Sequence, residues 1–326
     1  MNPHPARAQL TQNEPAGSTK LAECDFDNTK DCGVLLNFYP GGGALTNMPD
    51  APYSPSGVYY NYWSPGAPNG NSAGVAFIGP RNRELYVSLF WKIDPDFEGY
   101  SGGNKLFFIR DTANPDTTPG CNTNGIFGFA GTDGVDARNP PFHMMWNINT
   151  AGLDNSNNPT CNDGWSKGVL CPSNVNDVPL YKDTWYHIEA YVMASSCPTC
   201  KDGIIRWWID GQLAGNVENY NYGCGTMNEF VFDQAWDNSA QCRDANGNPP
   251  RGRDCTRFWA NYLDHLYISA PNCPNGCPVT GNTGGKPGLS LEKAQRCDPI
   301  PDVEIYVPKD KPAPVGQAIR DALRGN

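Results

Sequence analysis

The run Thr184-Trp185-Tyr186-His187-Ile188-Glu189-Ala190-Tyr191-Val192, answered by Ile205-Arg206-Trp207-Trp208-Ile209-Asp210-Gly211, decides the fold class. Tyr186, Ile188, Ala190 and Val192 alternate with other residues in the first run, and Ile205, Trp207 and Ile209 do so in the second. A period of two marks a strand with one buried face. Joined through residues 195–203, the two runs read as an antiparallel hairpin, and Asp210-Gly211 turns the chain into a short extension over 212–214. His187, Glu189 and Tyr191 then fall on the other side and read as surface residues without a role.

The same period recurs outward from this hairpin. Leu85, Val87, Leu89, Trp91 and Ile93 share one face of a strand over 85–93; further strands are expected over 104–110, 126–130, 230–236 and 258–269. Over 142–149, Phe142, Met144, Trp146 and Ile148 face a core, while His143, Met145, Asn147 and Asn149 face water or a groove. Between Asp27 and Gly79 loop signals dominate, as in Gly41-Gly42-Gly43 and Pro68-Asn69-Gly70. No body segment has helical periodicity. With 35 glycines, 30 prolines and only 18% charged residues, the chain reads as all-β. The expected architecture is a two-sheet antiparallel jelly-roll sandwich over 24–271, with long disulfide-braced loops. A flexible or strap-like leader (1–23) precedes it. A Cys/Pro/Gly-rich tail (272–326) follows, with a short strand at 303–307 and a terminal helix near 315–324.

Thirteen cysteines point to an oxidising compartment, so the chain is expected to be secreted or at a cell surface. The odd count leaves one unpaired, intermolecular or otherwise bound. Local pairs are expected at 24–32, 161–171, 197–200, 242–255 and 273–277; the competing reading makes the 197/200 and 273/277 pairs zinc ligands. Met1 to Thr19 is polar and lacks the apolar core of a signal peptide. A net charge of −10 argues against nucleic acid, and no apolar run is long enough to span a membrane.

The hairpin resembles the laminin-G-like and concanavalin A-like superfamily, where a W-x-H strand, here Trp185-Tyr186-His187, pairs with a strand ending in a D-G turn, here Asp210-Gly211. Residues 86–91 with 105–109 look like the preceding strands of such domains, and 262–268 is similar to their closing strand. The resemblance implies two sheets, one concave, with carbohydrate commonly held in the concave groove. It spans lectins, carbohydrate-binding modules, glycosidases, polysaccharide lyases and adhesion domains, so the fold does not choose the activity.

The E-x-D-x-x-E strand of the superfamily's retaining glucanases is absent, and Asp233 and Asp237 read equally well as turn residues. Arg81-Asn82-Arg83-Glu84-Leu85 resembles the R-x-E-L strand of alginate lyases, but their Q-x-H and Y-F-K-A-G motifs are missing. A lyase must neutralise a uronate carboxylate and move a proton. Arg110 and His143 are the residues expected to do so, beside Asn147 and Gln234. Binding without chemistry needs aromatic rings and hydrogen-bonding side chains. Tyr60, Tyr62, Trp63, Tyr220, Tyr222 and Trp236, with Asn147 and Gln234, are the carbohydrate-binding candidates. The superfamily's habit of binding calcium where first and last strands meet singles out Asp25, Asp27 and Asp264; no cofactor is required otherwise. The leading expectation is an extracellular polysaccharide-binding protein. The alternatives are a uronate-glycan lyase and a subunit of an extracellular filament, coat or virion surface that self-assembles through its tail.

Overall fold

The computed structural model describes residues 10–27, 32, 36–38, 43–52, 57–63, 75–97, 104–111, 124–131, 140–148, 175–176, 178–232 and 259–271. These form two antiparallel sheets stacked as a sandwich, with no helix among the described residues. The strands are β1 (Ser18–Cys24), β2 (Leu36–Phe38), β3 (Gly43–Asn47), β4 (Gly57–Trp63), β5 (Val75–Asn82), β6 (Glu84–Ile93), β7 (Asn104–Arg110), β8 (Asn124–Gly131), β9 (Phe142–Ile148), β10 (Tyr186–Met193), β11 (Gly203–Ile209), β12 (Gln212–Tyr220), β13 (Met227–Phe232) and β14 (Trp259–Pro271). One sheet runs β12-β11-β10-β6-β14-β4-β3, with β1 also on β14; the other runs β2-β5-β13-β7-β8-β9.

The expected hairpin is β10–β11, in register from Ile188 opposite Ile209 to Met193 opposite Ile204. Its inward residues join Leu85, Val87, Leu89, Trp91 and Ile93 in one core that meets Phe107, Phe127, Phe129, Trp146 and Phe230 from the other sheet. Gly125 on β8 has to be glycine, because a Cβ there would collide with the Trp146 indole and the Tyr222 hydroxyl.

The region expected as loops, 27–79, carries four strands, β2 to β5. The sandwich also starts before Cys24, because Ser18–Cys24 pairs with β14. The chain forms two compact units, Met1–Gly284 and Gly285–Asn326. The second lies outside the described residues, and with it the expected tail strand, terminal helix and assembly contact. Cys24–Cys32 and Cys197–Cys200 are disulfides, so the latter sulfurs hold each other and not zinc. Cys224, in none of the expected pairs, is disulfide-bonded as well. The pairs 161–171, 242–255 and 273–277 lie outside the described residues.

His187, Glu189 and Tyr191 are not surface residues; all three are buried. Residues 10–17, ahead of β1, lie over the outer face of the eight-stranded sheet. Asn13 donates its backbone N–H and Nδ2 to the two carboxylate oxygens of Glu189, at 2.8 and 2.7 Å. The Tyr86 hydroxyl donates to the same carboxylate. The Ser88 hydroxyl lies 2.8 Å from His187 Nε2, which is 3.2 Å from the Leu10 carbonyl, and the His187 ring stacks on Phe90. A buried carboxylate persists only with such partners. Alternation shows which residues share a face, not what covers that face.

Burial pushes the His187 imidazole below its ordinary value of 6.5, against an opposing pull from Glu189, and does the same to His265 against Glu23. A histidine harder to protonate folded than unfolded contributes stability above its ordinary value and loses it as pH falls below that value. The melting temperature is therefore expected to drop between about pH 7.5 and about pH 5.5. The drop should be shallower in the His187→Gln, His265→Gln variant, followed by circular dichroism. Identical slopes would show that neither ring is kept neutral by the fold.

Candidate functional site

The outer face of the six-stranded sheet collects the charged residues best placed to meet a ligand. Phe107, Ile109, Phe230 and Phe232 fill the core. Phe108 on β7, Val231 on β13 and Ala76 on β5 instead form a separate apolar cluster on the far side of the sheet. The cross-strand pairs Val231–Phe108 and Val231–Ala76 set that row. One step along it, Glu229 stands opposite Arg110.

Arg110 Nε donates to Glu229 Oε2 at 2.7 Å, and the guanidinium lies 5.2 Å from the centre of the Phe108 ring. The Glu229 side chain is only 3% exposed, whereas Arg110 is 31% exposed. The carboxylate is thus a buried anchor and the guanidinium the part that reaches solvent. Its two Nη groups make no hydrogen bond among the described residues. Lys105 approaches the same Phe108 ring at 5.9 Å. Beside this pair, Arg81 Nη1 lies 3.2 Å from Oδ2 of the buried Asp111. A guanidinium held through Nε by a buried carboxylate, as in Arg110, can pair an anionic group bidentately with little ordering left to do.

The structure separates the two residues expected to act together. Arg110 pairs with Asn124 on β8, while His143 pairs with Ala130, at the other end of that strand. Six residues of extended chain separate those positions by roughly 20 Å. His143 is also buried, not open to a groove. Asn147 lies opposite Ile126, in the row through Phe108, but its side chain is outside the described residues. Gln234 and Trp236 are outside them altogether.

The aromatic candidates divide likewise. Tyr222 is a core residue packed on Trp146, its hydroxyl donating to the Ile109 carbonyl at 3.0 Å, so it offers no ring face to a sugar. Tyr60 lies on the eight-stranded sheet, half-buried beside Tyr262. Tyr62 and Trp63 sit on β4 opposite Ala260 and Trp259, and Tyr220 on β12 opposite Gly203; their side chains lie outside the described residues. The Arg83-Glu84-Leu85 segment opens β6, in the sheet opposite Arg110. Arg83 there holds the Ala194 carbonyl and Asp202, and Glu84 accepts from the Tyr191 hydroxyl at 2.6 Å.

Asp25 Oδ1 accepts the Asp27 N–H at 3.1 Å, Asp27 Oδ1 accepts the Gly57 N–H at 2.7 Å, and Asp264 is buried on β14. The described residues contain no group of three or more His, Cys, Asp or Glu side chains arranged to hold a metal. Glu229 lies just outside the strand expected over 230–236, and Lys105 lies inside the one expected over 104–110 without being singled out there. The available signal was a carboxylate two residues before Val231, on the outward side.

No family model matches the chain, and no curated protein matches it. Among solved structures it is similar to an alginate lyase in complex with alginate trisaccharide, at 14% identity and TM-score 0.45, covering 77% of this chain and 97% of that one. An alginate lyase from a Chlorella virus gives 10% identity, TM-score 0.45 and coverage of 77% and 100%. An endo-beta-1,4-glucuronan lyase from the fungus Trichoderma reesei gives 9% identity, TM-score 0.42 and coverage of 77% and 96%. At these identities and scores the likeness carries no statement about activity.

Exchanging each partner of the Arg110–Glu229 pair for methionine is expected to have unequal effects. Arg110→Met leaves a carboxylate buried without its cation, whereas Glu229→Met leaves a guanidinium that already reaches water. The former should cost more, by roughly 2 kcal/mol in denaturant melts. Equal costs would mean that Glu229 is solvated independently of Arg110.

Proposed function

We propose that this chain is an extracellular polysaccharide-binding sandwich of the concanavalin A-like superfamily. It would hold an acidic, uronate-containing glycan against the outer face of the six-stranded sheet. The observation that carries this reading is the Arg110 guanidinium, fixed through Nε by buried Glu229, with its Nη donors turned to no partner among the described residues. Planar donor pairs match the geometry of a carboxylate, which every uronate unit carries. The disulfides Cys24–Cys32 and Cys197–Cys200 suit an oxidising, extracellular setting. No helix among the described residues is long and apolar enough to cross a membrane.

The second reading is a lyase, and the same fixed arginine favours it. Neutralising the uronate carboxylate makes the C5 proton acidic. A base then removes that proton, the C4–C5 double bond forms, and the C4–O bond breaks with the leaving oxygen protonated. His143 is too distant from Arg110 to serve as that base on the same sugar unit.

Both readings are tested by titrating the protein with hexamers of mannuronate, guluronate and glucuronate in a calorimeter while following the ultraviolet absorbance of unsaturated uronate. Arg110→Lys keeps the charge beside Glu229 but loses the fork, and should weaken binding about tenfold; His143→Ala should leave it unchanged. Saturable binding without absorbance supports the binding reading, and growing absorbance the lyase. No binding to any of the three, or full binding by Arg110→Lys, would remove this face from consideration.

A further inference from the structure

We propose that the outer face of the other sheet holds a second saccharide site, specific for neutral, hydroxyl-rich glycans and independent of the Arg110 face. Tyr60, Tyr262 and Lys92 stand side by side on β4, β14 and β6: Tyr262 pairs with Tyr60 on one side and Lys92 on the other. Tyr186 of β10 pairs with Trp91, so the preceding Trp185 extends the row past Lys92. The Tyr60 and Tyr262 rings are 6.4 Å apart, and Lys92 Nζ lies 5.7 Å from the centre of the Trp185 ring. All three aromatic residues are half-buried.

Lys92 is itself almost inaccessible and clamps two carboxylates, with Nζ 2.6 Å from Asp50 Oδ2 and 2.8 Å from Asp183 Oδ1. Asp50 Oδ2 also accepts the indole N–H of Trp185 at 3.2 Å, which fixes the ring. Both carboxylates are largely exposed, at 50% and 61%, and their second oxygens, Asp50 Oδ1 and Asp183 Oδ2, make no hydrogen bond among the described residues. The result is a row of rings about 10 Å from Trp185 to Tyr262, two strand spacings, edged by immobilised acceptors. Sugar rings stack on aromatic faces through their C–H surfaces, and their hydroxyls donate to carboxylates. The Tyr262 hydroxyl donates to a third carboxylate, Asp94, at 3.2 Å. The negative rim repels uronates, so the occupant is neutral. One ammonium already occupies an oxygen of each carboxylate, which leaves the other oxygen to accept a hydroxyl.

The test uses the full chain with cellohexaose and xylohexaose as neutral probes and glucuronate hexamer as the acidic one, read by quenching of tryptophan fluorescence and by calorimetry. A neutral probe is expected to saturate. Trp185→Ala should weaken it about tenfold, and Asp183→Asn about threefold. Asp183 has φ 55°, a conformation asparagine tolerates, so that variant keeps the backbone and decides the matter if Trp185→Ala does not fold. Arg110→Lys should leave neutral binding unchanged, and Asp183→Asn should leave glucuronate binding unchanged, so failure here is distinct from failure of the Arg110 face. Saturation by neither neutral probe, undiminished binding in the Asp183 variant, or loss of neutral binding in Arg110→Lys would overturn the proposal.

Discussion

Strand β14 runs through the interior of the eight-stranded sheet, and a buried backbone there must find partners along both edges. β6 satisfies one edge from Asn261 to Ser269. No single strand covers the other: β4 pairs with residues 259–263 and β1 with the stretch from Leu266 to Pro271. The first strand of the described chain is thereby tied to the last. The change of partner coincides with a bulge, where His265 takes φ 48° and its Nε2 lies 3.0 Å from Glu23 on β1. Seating β1 also fixes where the preceding residues go. Leu10 to Gly17 are delivered onto the outer face of the same sheet, where Asn13 completes the Glu189 carboxylate and Glu14 accepts from Tyr267. Without that ladder, Glu189 would be left beside Tyr86 with two of its three hydrogen bonds missing.

The strands that alternate most plainly in the sequence are those whose inward positions are all apolar. β6, β9, β10 and β11 alternate cleanly because Leu85 to Ile93, Phe142 to Trp146, and the hairpin fill one core with hydrocarbon. β4 fails the same test for a physical reason. Tyr59 is inward, and Asn61, two residues on, is buried as well, directly opposite Asn261 of β14. Asn261 Oδ1 accepts the Trp91 indole N–H at 3.2 Å, so a polar pair occupies positions where a period-two pattern demands hydrocarbon. The glycines and prolines between 27 and 79 concealed the rest, since such residues signal turns without saying how short the intervening strands are.

The sites were less legible than the fold, because their chemistry is set by register. Arg110 and Glu229 are 119 residues apart, and Lys92 reaches Asp50 from 42 residues away. Pairing Arg110 with His143 assumes that residues on one face share one place. A sheet face is long: two positions with the same parity can lie at opposite ends of it. Tyr60 is likewise a carbohydrate-binding candidate beside Tyr62 and Trp63 in the sequence, yet its neighbours are Tyr262 and, across the sheet, Lys92, neither of which proximity in sequence would suggest.

The charge distribution constrains what each face can do. The chain carries −10 overall, so an acidic polymer is repelled at long range. That repulsion acts over distances that salt screens, about 8 Å at physiological ionic strength. A guanidinium–carboxylate contact forms well inside that length, on a surface where Glu229 has already taken up the cost of orienting Arg110. Recognition of an anion at the proposed Arg110 face would therefore be short-range and geometric. It would depend on a prepositioned fork more than on a positive field. The face bearing Asp50, Asp94 and Asp183 adds to the long-range repulsion and has no unclamped cation in its row, because Lys92 is committed to two of those carboxylates. On the two proposals above, the sheets of one sandwich would select opposite classes of sugar polymer through the same device, a buried charge that holds the exposed partner still.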